Sequence, residues 1–157
     1  MEKKLSQHQK RIQRINVLYR YELMNSPINL QEIFEDDFIL LSNEQFKKIE
    51  AIQKNYDYYK KVISRFFNSG WIWERIEPFV RGILLNAVNE FLLGLDPKIV
   101  VNEAINVAKK FCAENIHKWI NAILQSIYKY FVLAEVVMQK EGVINDSESA
   151  QRTNSNQ

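Results

Sequence analysis

The hydrophobic residues of this chain recur every three or four positions, which is the spacing of an amphipathic α-helix. The first periodic segment places its apolar residues on one face: Leu5, Ile12, Ile15, Tyr19 and Leu23. The opposite face of the same segment is polar and basic, with Lys3, Gln7, Lys10 and Arg14. No segment shows the clear period of two that is typical of a half-buried β-strand. The pattern therefore predicts an all-α protein.

The ends of the predicted helices are marked by residues that cap or break helices. The run Ser42–Gln45 matches a capping box, and it predicts one helix that continues to the break at Asn68–Gly70. Pro78 suits the first turn of a helix that ends at Gly94. Two more helices follow, and we expect the last of them to continue to about Lys140.

These segments predict a helical bundle of about seven helices, which includes a short helix around Leu30–Phe38. We expect one domain over 1–140, with subdomains of about 1–68 and 71–140. The predicted core is continuous and includes Tyr59, Phe66, Ile83, Phe91, Ala108 and Ile123. The polar segment 141–157 has too little apolar surface to bury, and we expect it to be a disordered tail.

Composition narrows the class of protein further. The 157 residues are 46% hydrophobic and include only four glycines and three prolines, which favours long helices around one core. A net charge of +2 means that any RNA binding must rely on a local basic patch. The single cysteine, Cys112, excludes an intramolecular disulfide. With no long apolar run and no signal peptide at Met1–Leu5, we expect a cytoplasmic protein that does not bind membranes.

Residues with catalytic or metal-binding chemistry do not form a recognisable motif. His8 and His117 are far apart and lack a cysteine or carboxylate at ligand spacing, so we expect no metal site. Cys112 lies on an apolar stripe, which favours a small core residue over a nucleophile. We therefore expect neither catalysis nor a cofactor.

Two linked motifs in the last third of the chain resemble the C-terminal signature of the NusB family. The first motif consists of Asn102-Glu103-Ala104, Ala108-Lys109 and Phe111, and the second of His117-Lys118 and Asn121. Trp119 and Ile120 stand where the family usually has Phe-Val. The order and the fixed separation of the two motifs make the resemblance specific.

The resemblance extends over about residues 8 to 130. At the front, Arg11–Tyr19 is similar to the family pattern Arg-x-x-Ala-x-Gln-x-Leu-Tyr, although Arg14 stands where Ala is common. The middle of the chain matches loosely, with departures from the usual residues at Val80, Leu85 and Asn89. We expect these departures to fall near surfaces that the family uses for partner contact.

The resemblance implies an all-helical RNA-binding adaptor for transcription antitermination. Proteins of this family pair with NusE, a small-subunit ribosomal protein. The pair binds single-stranded boxA RNA in ribosomal RNA leader transcripts and works within the antitermination complex of RNA polymerase. No catalysis is implied.

With that resemblance, eight residues become candidates for RNA binding. The basic face of Lys3, Lys4, Lys10, Arg11 and Arg14 would neutralise phosphates, and its alternative is a solvated helix face. Trp119 would stack on a base and Asn121 would bond to a base edge, whereas Trp119 could instead belong to the core. Lys118 lies beside them and would contact a phosphate.

Tyr19, Glu22 and Glu74 are candidates for contact with the protein partner. Val17 and Leu18 make one side of the first helix apolar one turn after its basic start, which suits a contact surface. The alternative is that Leu18 and Tyr19 pack between the subdomains.

Two other functions stay open. NusB-like domains also occur fused to ribosomal RNA methyltransferases, so the chain could be a detached accessory domain of such an enzyme. It could also be a helical interaction protein that self-associates as a homodimer without binding RNA.

Overall fold

The computed structural model describes the backbone of residues 4–155 and the side chains of residues 4–135. Within this range the chain forms seven α-helices, one short 3₁₀ turn and no strand, which confirms the predicted all-α fold. The helices are α1 (Gln7–Leu23), α2 (Leu30–Glu35), α3 (Asn43–Lys54), α4 (Tyr56–Ser64), α5 (Pro78–Leu92), α6 (Pro97–Phe111) and α7 (Ile116–Ser155). The 3₁₀ turn spans Trp73–Arg75 and precedes α5.

Two helices begin with serine caps. The Ser6 hydroxyl accepts from the Gln9 backbone N–H at 3.1 Å, and the Gln9 side chain accepts from the Ser6 N–H at 2.9 Å. This reciprocal pair is a capping box that begins α1. Ser42 caps α3 as predicted, but the Gln45 side chain bonds to the Lys10 carbonyl of α1 instead of reaching back to Ser42. The start of α3 is therefore tied to α1.

The predicted helix from Ser42 to the break at Gly70 is two helices, α3 and α4, that meet at Asn55. The Asn55 side-chain amide donates to the Ala51 carbonyl at 2.8 Å, and the Asn55 backbone N–H donates to the same oxygen at 3.1 Å. An asparagine that satisfies helical carbonyls with its own side chain favours the end of a helix over its interior. The apolar period alone did not reveal this break.

Helix α5 runs through the centre of the bundle. Every residue from Arg81 to Glu90 is buried, and α1, α3, α4, α6 and α7 all pack against this helix. A helix that is covered on all sides is usually apolar around its circumference, but this one also buries Arg81, Asn86, Asn89 and Glu90. Helix α1 packs tightly against α5 at Gly82, where a side chain would place its Cβ 3.2 Å from the Ile15 carbonyl oxygen.

The core is continuous across the break near Gly70. Tyr59, Ile83, Ala108 and Ile123 are buried in it, as predicted, and Phe66 and Phe91 pack against it while partly exposed. The division into subdomains of 1–68 and 71–140 stays a prediction.

Helix α7 extends further than the sequence predicted. The expected end was near Lys140, followed by a disordered tail, whereas α7 continues to Ser155. An α-helix makes its backbone hydrogen bonds within its own segment, and no proline interrupts this one, so a polar sequence does not by itself end the helix. The side chains beyond Glu135 and the last two residues of the predicted tail lie outside the described range. None of the described helices combines the length and the apolar character needed to cross a membrane.

Candidate nucleic-acid interface

Two of the five residues of the predicted basic face are inside the protein. Arg11 is 7% exposed and Arg14 is 2% exposed. The Arg11 Nε donates to both carboxylate oxygens of Glu90, at 2.9 and 3.0 Å, and the Arg14 Nη2 donates to one of them at 3.0 Å. The prediction that Arg11 and Arg14 bind phosphates from an exposed face is therefore wrong, because a buried carboxylate already neutralises them.

The buried arginines belong to a network that joins α1, α3 and α5. The Arg14 Nε donates to Asn86 at 2.9 Å, its Nη1 donates to Gln45, and Asn86 in turn donates to Glu90 at 2.9 Å. Burial lowers the pKa of the Arg14 guanidinium, while the negative charge of Glu90 acts in the opposite direction. Because arginine has a very high intrinsic pKa, it remains charged, and the network is a buried ion pair with hydrogen-bonded neighbours.

What remains of the basic face on α1 is smaller than predicted. Lys4 is exposed, Lys10 is half-buried, and Lys3 lies outside the described residues. Lys4 and Lys10 are therefore the described residues of the predicted basic face that solvent reaches, as phosphate contact requires.

The start of α1 lies against α6. The Glu103 carboxylate is 2.7 Å from the His8 Nδ1 and 4.0 Å from the Arg11 Nη1. Glu103 belongs to the Asn102–Ala104 motif, and Arg11 begins the motif at the front of the chain. The fold thus brings together two motifs that are about ninety positions apart in the sequence.

Asn121 faces a groove between α6 and α7. The groove has a volume of about 460 Å³ and is lined by Pro97, Lys98, Val101, Asn102, Ile105, Asn121, Gln125 and Tyr128. It combines amides that both donate and accept, one lysine and the partly exposed ring of Tyr128, which are the groups that recognise unpaired bases. The sequence did not predict four of the residues that line this groove: Lys98, Asn102, Gln125 and Tyr128. Of these, only Asn102 could have been identified, because it belongs to a signature motif.

Trp119 faces a different groove. Its ring packs against Phe67, with centroids 5.8 Å apart and planes tilted by 30°. This second groove has a volume of about 360 Å³ and is lined by Asn68, Trp71, Arg75, Ile76, Glu77, Val80, Ile116 and Trp119. Trp119 and Asn121 are two residues apart on a helix and do not share a face, so one nucleotide cannot contact both. Lys118, between them, is exposed.

The predicted partner residues divide between the interior and the surface. Glu22 is buried, accepts from the Tyr56 hydroxyl at 2.6 Å and lies 3.6 Å from the Arg81 Nε, so its prediction as a partner contact is wrong. Burial and the hydrogen bond to Glu22 raise the pKa of Tyr56. Tyr19 is half-buried and meets Phe79 of α5 edge-on, with centroids 5.5 Å apart. Val17 and Leu18 are also buried, so this side of α1 packs within the fold.

Glu74 is the partner candidate that remains at the surface. It is exposed in the 3₁₀ turn, and its carboxylate lies 3.7 Å from the Lys60 Nζ. Trp71 and Ile72, just before the turn, are 54% and 53% exposed. An acidic residue beside two exposed large apolar side chains suits a protein contact better than a nucleic-acid contact.

The departures from the family pattern lie in the core. Val80, Leu85 and Asn89 are 1%, 0% and 2% exposed. The expectation that these residues lie near partner surfaces is therefore wrong, because their side chains are buried. Of the three, only Val80 lines the edge of the Trp119 groove. Asn89 accepts from the Tyr59 hydroxyl at 2.7 Å, which joins α5 to α4.

The one cysteine is not set up as a nucleophile. Burial raises the pKa of the Cys112 thiol to about 11, with the charge of Glu77 as a smaller cause. The thiolate is therefore scarce at neutral pH. In the part of the chain whose side chains are described, no three His, Cys, Asp or Glu residues are grouped closely enough to hold a metal ion.

Together these features define a helical protein with a polar groove between two helices and a reduced basic face on its first helix. Comparison with known proteins places it in a family: the sequence model of the NusB family matches residues 8–129. The transcription antitermination protein NusB of a Nitratiruptor species is 33% identical over 129 residues, which cover 79% of this chain and 92% of that protein. The chain belongs to the NusB family.

Two further proteins are similar over comparable lengths. The transcription antitermination protein NusB of Methylacidiphilum infernorum is 30% identical over 122 residues, which cover 73% of this chain and 85% of that protein. The solved structure of T. maritima NusB superposes with a TM-score of 0.69 at 26% identity, and the match covers 81% of this chain and 93% of that one. The antitermination role named for the Nitratiruptor and Methylacidiphilum proteins is not an enzymatic one.

Proposed function

We propose that this protein is an RNA-binding transcription antitermination adaptor. It binds boxA-like single-stranded RNA in ribosomal RNA leader transcripts together with a NusE-type small-subunit ribosomal protein. It acts in the cytoplasm as part of the antitermination complex of RNA polymerase. Both the family membership and the antitermination role of the named relatives support this proposal.

The observation that carries the proposal is the meeting of three sequence motifs on neighbouring elements. Glu103 contacts His8 and approaches Arg11 at the start of α1, and the adjacent Asn102 lines the same groove as Asn121. Two of these motifs supply Asn102 and Asn121 to one groove, which a common ligand explains more readily than packing alone.

Single-stranded RNA fits the chemistry of this groove. An unpaired base would enter between α6 and α7, where the amides of Asn102 and Asn121 meet its edge and the Tyr128 ring offers a stacking surface. Lys98 at the groove and Lys118 on α7 would bind the flanking phosphates. Phosphate contacts provide affinity, whereas the amides provide the choice of sequence.

The remaining candidates take separate roles in the proposal. Lys4, just before α1, and Lys10 on α1 extend the phosphate contacts, and Lys3 belongs with them by sequence. Trp119 contacts RNA at a position other than that of Asn121, because the two residues line different grooves. Glu74, with Trp71 and Ile72 beside it, faces the NusE-type partner, and the half-buried Tyr19 is a further candidate for that contact.

Titration of a labelled boxA-like RNA and of a scrambled RNA of the same composition tests this proposal by fluorescence anisotropy. We expect tighter binding of the boxA-like RNA, and a further gain in affinity when the NusE-type protein is added. Equal affinity for the two RNAs in the presence of that partner would contradict sequence-specific recognition. Absence of RNA binding by the protein, with and without the partner, would contradict the proposal as a whole.

A further inference from the structure

Three large apolar side chains lie exposed within seven positions of the first third of the chain. Phe34 at the end of α2, and Phe38 and Leu40 in the connection to α3, are 80%, 96% and 78% exposed. We call these three residues the aromatic patch. The Phe34 ring meets Phe46 of α3 edge-on, with centroids 6.2 Å apart, which gives the patch a fixed support. Grouped apolar side chains at such exposure mark interaction sites.

The patch borders a small hollow on α1. The hollow has a volume of about 170 Å³ and is lined by Gln13, Asn16, Val17, Arg20, Phe38 and Ile39. Val17 is buried and forms an apolar floor, while the Phe38 side chain stands free at the rim. The Gln13 amide donates to the Leu40 carbonyl at 3.3 Å and ties the connection to α1. The hollow is wide enough to accept one apolar side chain from another molecule.

The segment that carries the patch is acidic, although the chain as a whole carries +2. Between Arg20 and Lys47 the sequence contains no lysine or arginine, and it contains five acidic residues that are not buried: Glu32, Glu35, Asp36, Asp37 and Glu44. The sixth, Glu22, is buried beside Arg81. Arg20 pairs with Asp36 at 2.9 Å, and this hydrogen bond is the main cause that lowers the pKa of Asp36. Among the residues with described side chains, no cation lies within ion-pair distance of Glu35 or Asp37.

We propose that the aromatic patch is a docking surface for a basic amphipathic segment of a protein partner. An apolar residue of that segment occupies the hollow beside Phe38, and lysine or arginine residues on its flanks face Glu35 and Asp37. Helix-in-groove recognition combines an apolar anchor and charged flanks in this way. This surface is separate from the groove between α6 and α7, so it serves an interaction other than RNA binding.

An exposed apolar surface could bind RNA, a second copy of this chain or a segment of another protein. The acidic residues near the patch favour the last of these. RNA is repelled by the acidic residues around the patch, because its own backbone is negative. A symmetric contact with the patch of a second copy would bring the two acidic segments together, and like charges facing each other across an interface disfavour association. A basic segment satisfies both the apolar and the acidic groups.

Three labelled synthetic peptides of about 18 residues test the proposal by fluorescence anisotropy on the full chain. The first is an amphipathic Leu/Lys helix, the second a Leu/Glu helix of the same pattern, and the third a Ser/Lys peptide with the charge but no apolar face. We expect the Leu/Lys peptide to bind more tightly than the other two. We expect Phe38→Ala and Asp37→Lys each to weaken its binding about tenfold, as the loss of a central anchor does.

Matched variants elsewhere on the surface serve as controls. Leu133→Ala removes another exposed apolar side chain, and Glu114→Lys reverses another exposed acidic residue. Both controls should leave the affinity for the Leu/Lys peptide within about twofold of that of the unchanged protein. Thermal unfolding followed by circular dichroism establishes that all four variants fold.

Several outcomes would overturn the proposal. These are absence of binding of the Leu/Lys peptide, equally tight binding of the Leu/Glu peptide, and equal losses in the patch variants and the controls. Sedimentation of a dimer that Phe38→Ala dissociates would also overturn it, because the surface would then belong to a second copy. Since the patch variants leave the α6–α7 groove intact, their RNA titration should be unchanged, and a failure here does not bear on the proposed function.

Discussion

The Arg14 guanidinium donates to the Glu90 carboxylate at 3.0 Å, and both side chains are 2% exposed. Arg14 stands at a position where the family commonly has alanine. A buried charge at such a position requires compensation, which Glu90, Asn86 and Gln45 supply. An arginine that resembles a phosphate contact in the sequence is therefore a structural residue that joins three helices.

Replacement of Arg14 by alanine is expected to destabilise the fold without a specific effect on RNA. The change leaves the Glu90 carboxylate with one cation fewer in the interior, which typically costs about 3–5 kcal/mol when a buried pair is broken. Urea unfolding followed by circular dichroism measures the loss in the free energy of unfolding. Lys10→Ala is the control and should cost less than about 0.5 kcal/mol. A loss below about 1 kcal/mol for Arg14→Ala would mean that the network contributes little.

Replacement of Lys4 and Lys10 by alanine is expected to weaken RNA binding without changing its specificity. Each lysine that neutralises a phosphate releases counterions, so its removal should reduce the salt dependence of the affinity by about one unit of slope. Titrations of boxA-like and scrambled RNA over a range of salt concentrations measure both effects. Lys54→Ala, on the exposed end of α3, is the control. If the double variant binds like the unchanged protein at low salt, the RNA does not follow α1.

Replacement of Asn121 by alanine is expected to narrow the difference in affinity between boxA-like and scrambled RNA. Loss of a good contact to a base edge costs about 1–3 kcal/mol of discrimination. Asn106→Ala is the matched control, because Asn106 is an exposed asparagine of α6 that does not line the groove. An unchanged difference in Asn121→Ala, or an equal change in Asn106→Ala, would place base recognition elsewhere.

The Cys112 thiol is expected to react slowly with iodoacetamide at neutral pH. The folded pKa of about 11 lies above the ordinary value of 9.0, so the thiol stays protonated over a range in which an unfolded thiol ionises. Burial of the thiol therefore favours folding below the ordinary pKa, and this contribution is lost as the pH rises toward 11. The alkylation rate of the same protein in urea should have its midpoint near pH 9 and level off about one pH unit higher, whereas that of the folded protein should still be rising there. A midpoint near pH 9 in both states would contradict the raised pKa.

Removal of residues 141–157 is expected to leave the melting temperature nearly unchanged. The segment is polar and lacks an apolar period, so it has little surface to bury against the core. Because the backbone of α7 is helical to Ser155, the truncated protein should show a smaller total helical signal in circular dichroism. A large fall in melting temperature would mean that the segment docks on the remainder of the protein.

Local features of the fold followed from the sequence because they depend on neighbours along the chain. The apolar period, the cap at Ser42 and the first-turn Pro78 each act within a few residues, and each is found as predicted. The break at Asn55 is also local, but only one polar side chain marks it. The strong apolar period on either side of Asn55 predicted one uninterrupted helix instead.

The placement of charged side chains depended on residues that are distant in the sequence. Arg14 meets Glu90 across 76 positions, and Glu22 meets Tyr56 across 34. A helical period marks which residues share a face, but it does not reveal whether a second helix covers a polar face with a matching charge.

The sequence by itself determined the class of the fold, the caps and the family motifs, because these are patterns of residue type at fixed spacing. Only the tertiary structure decided that Arg11, Arg14 and Glu22 are interior, and that Trp119 and Asn121 line separate grooves. The physical reason is that burial of a charge depends on the free-energy balance between desolvation and compensation by a partner. That partner comes from another helix, and packing alone brings the two together.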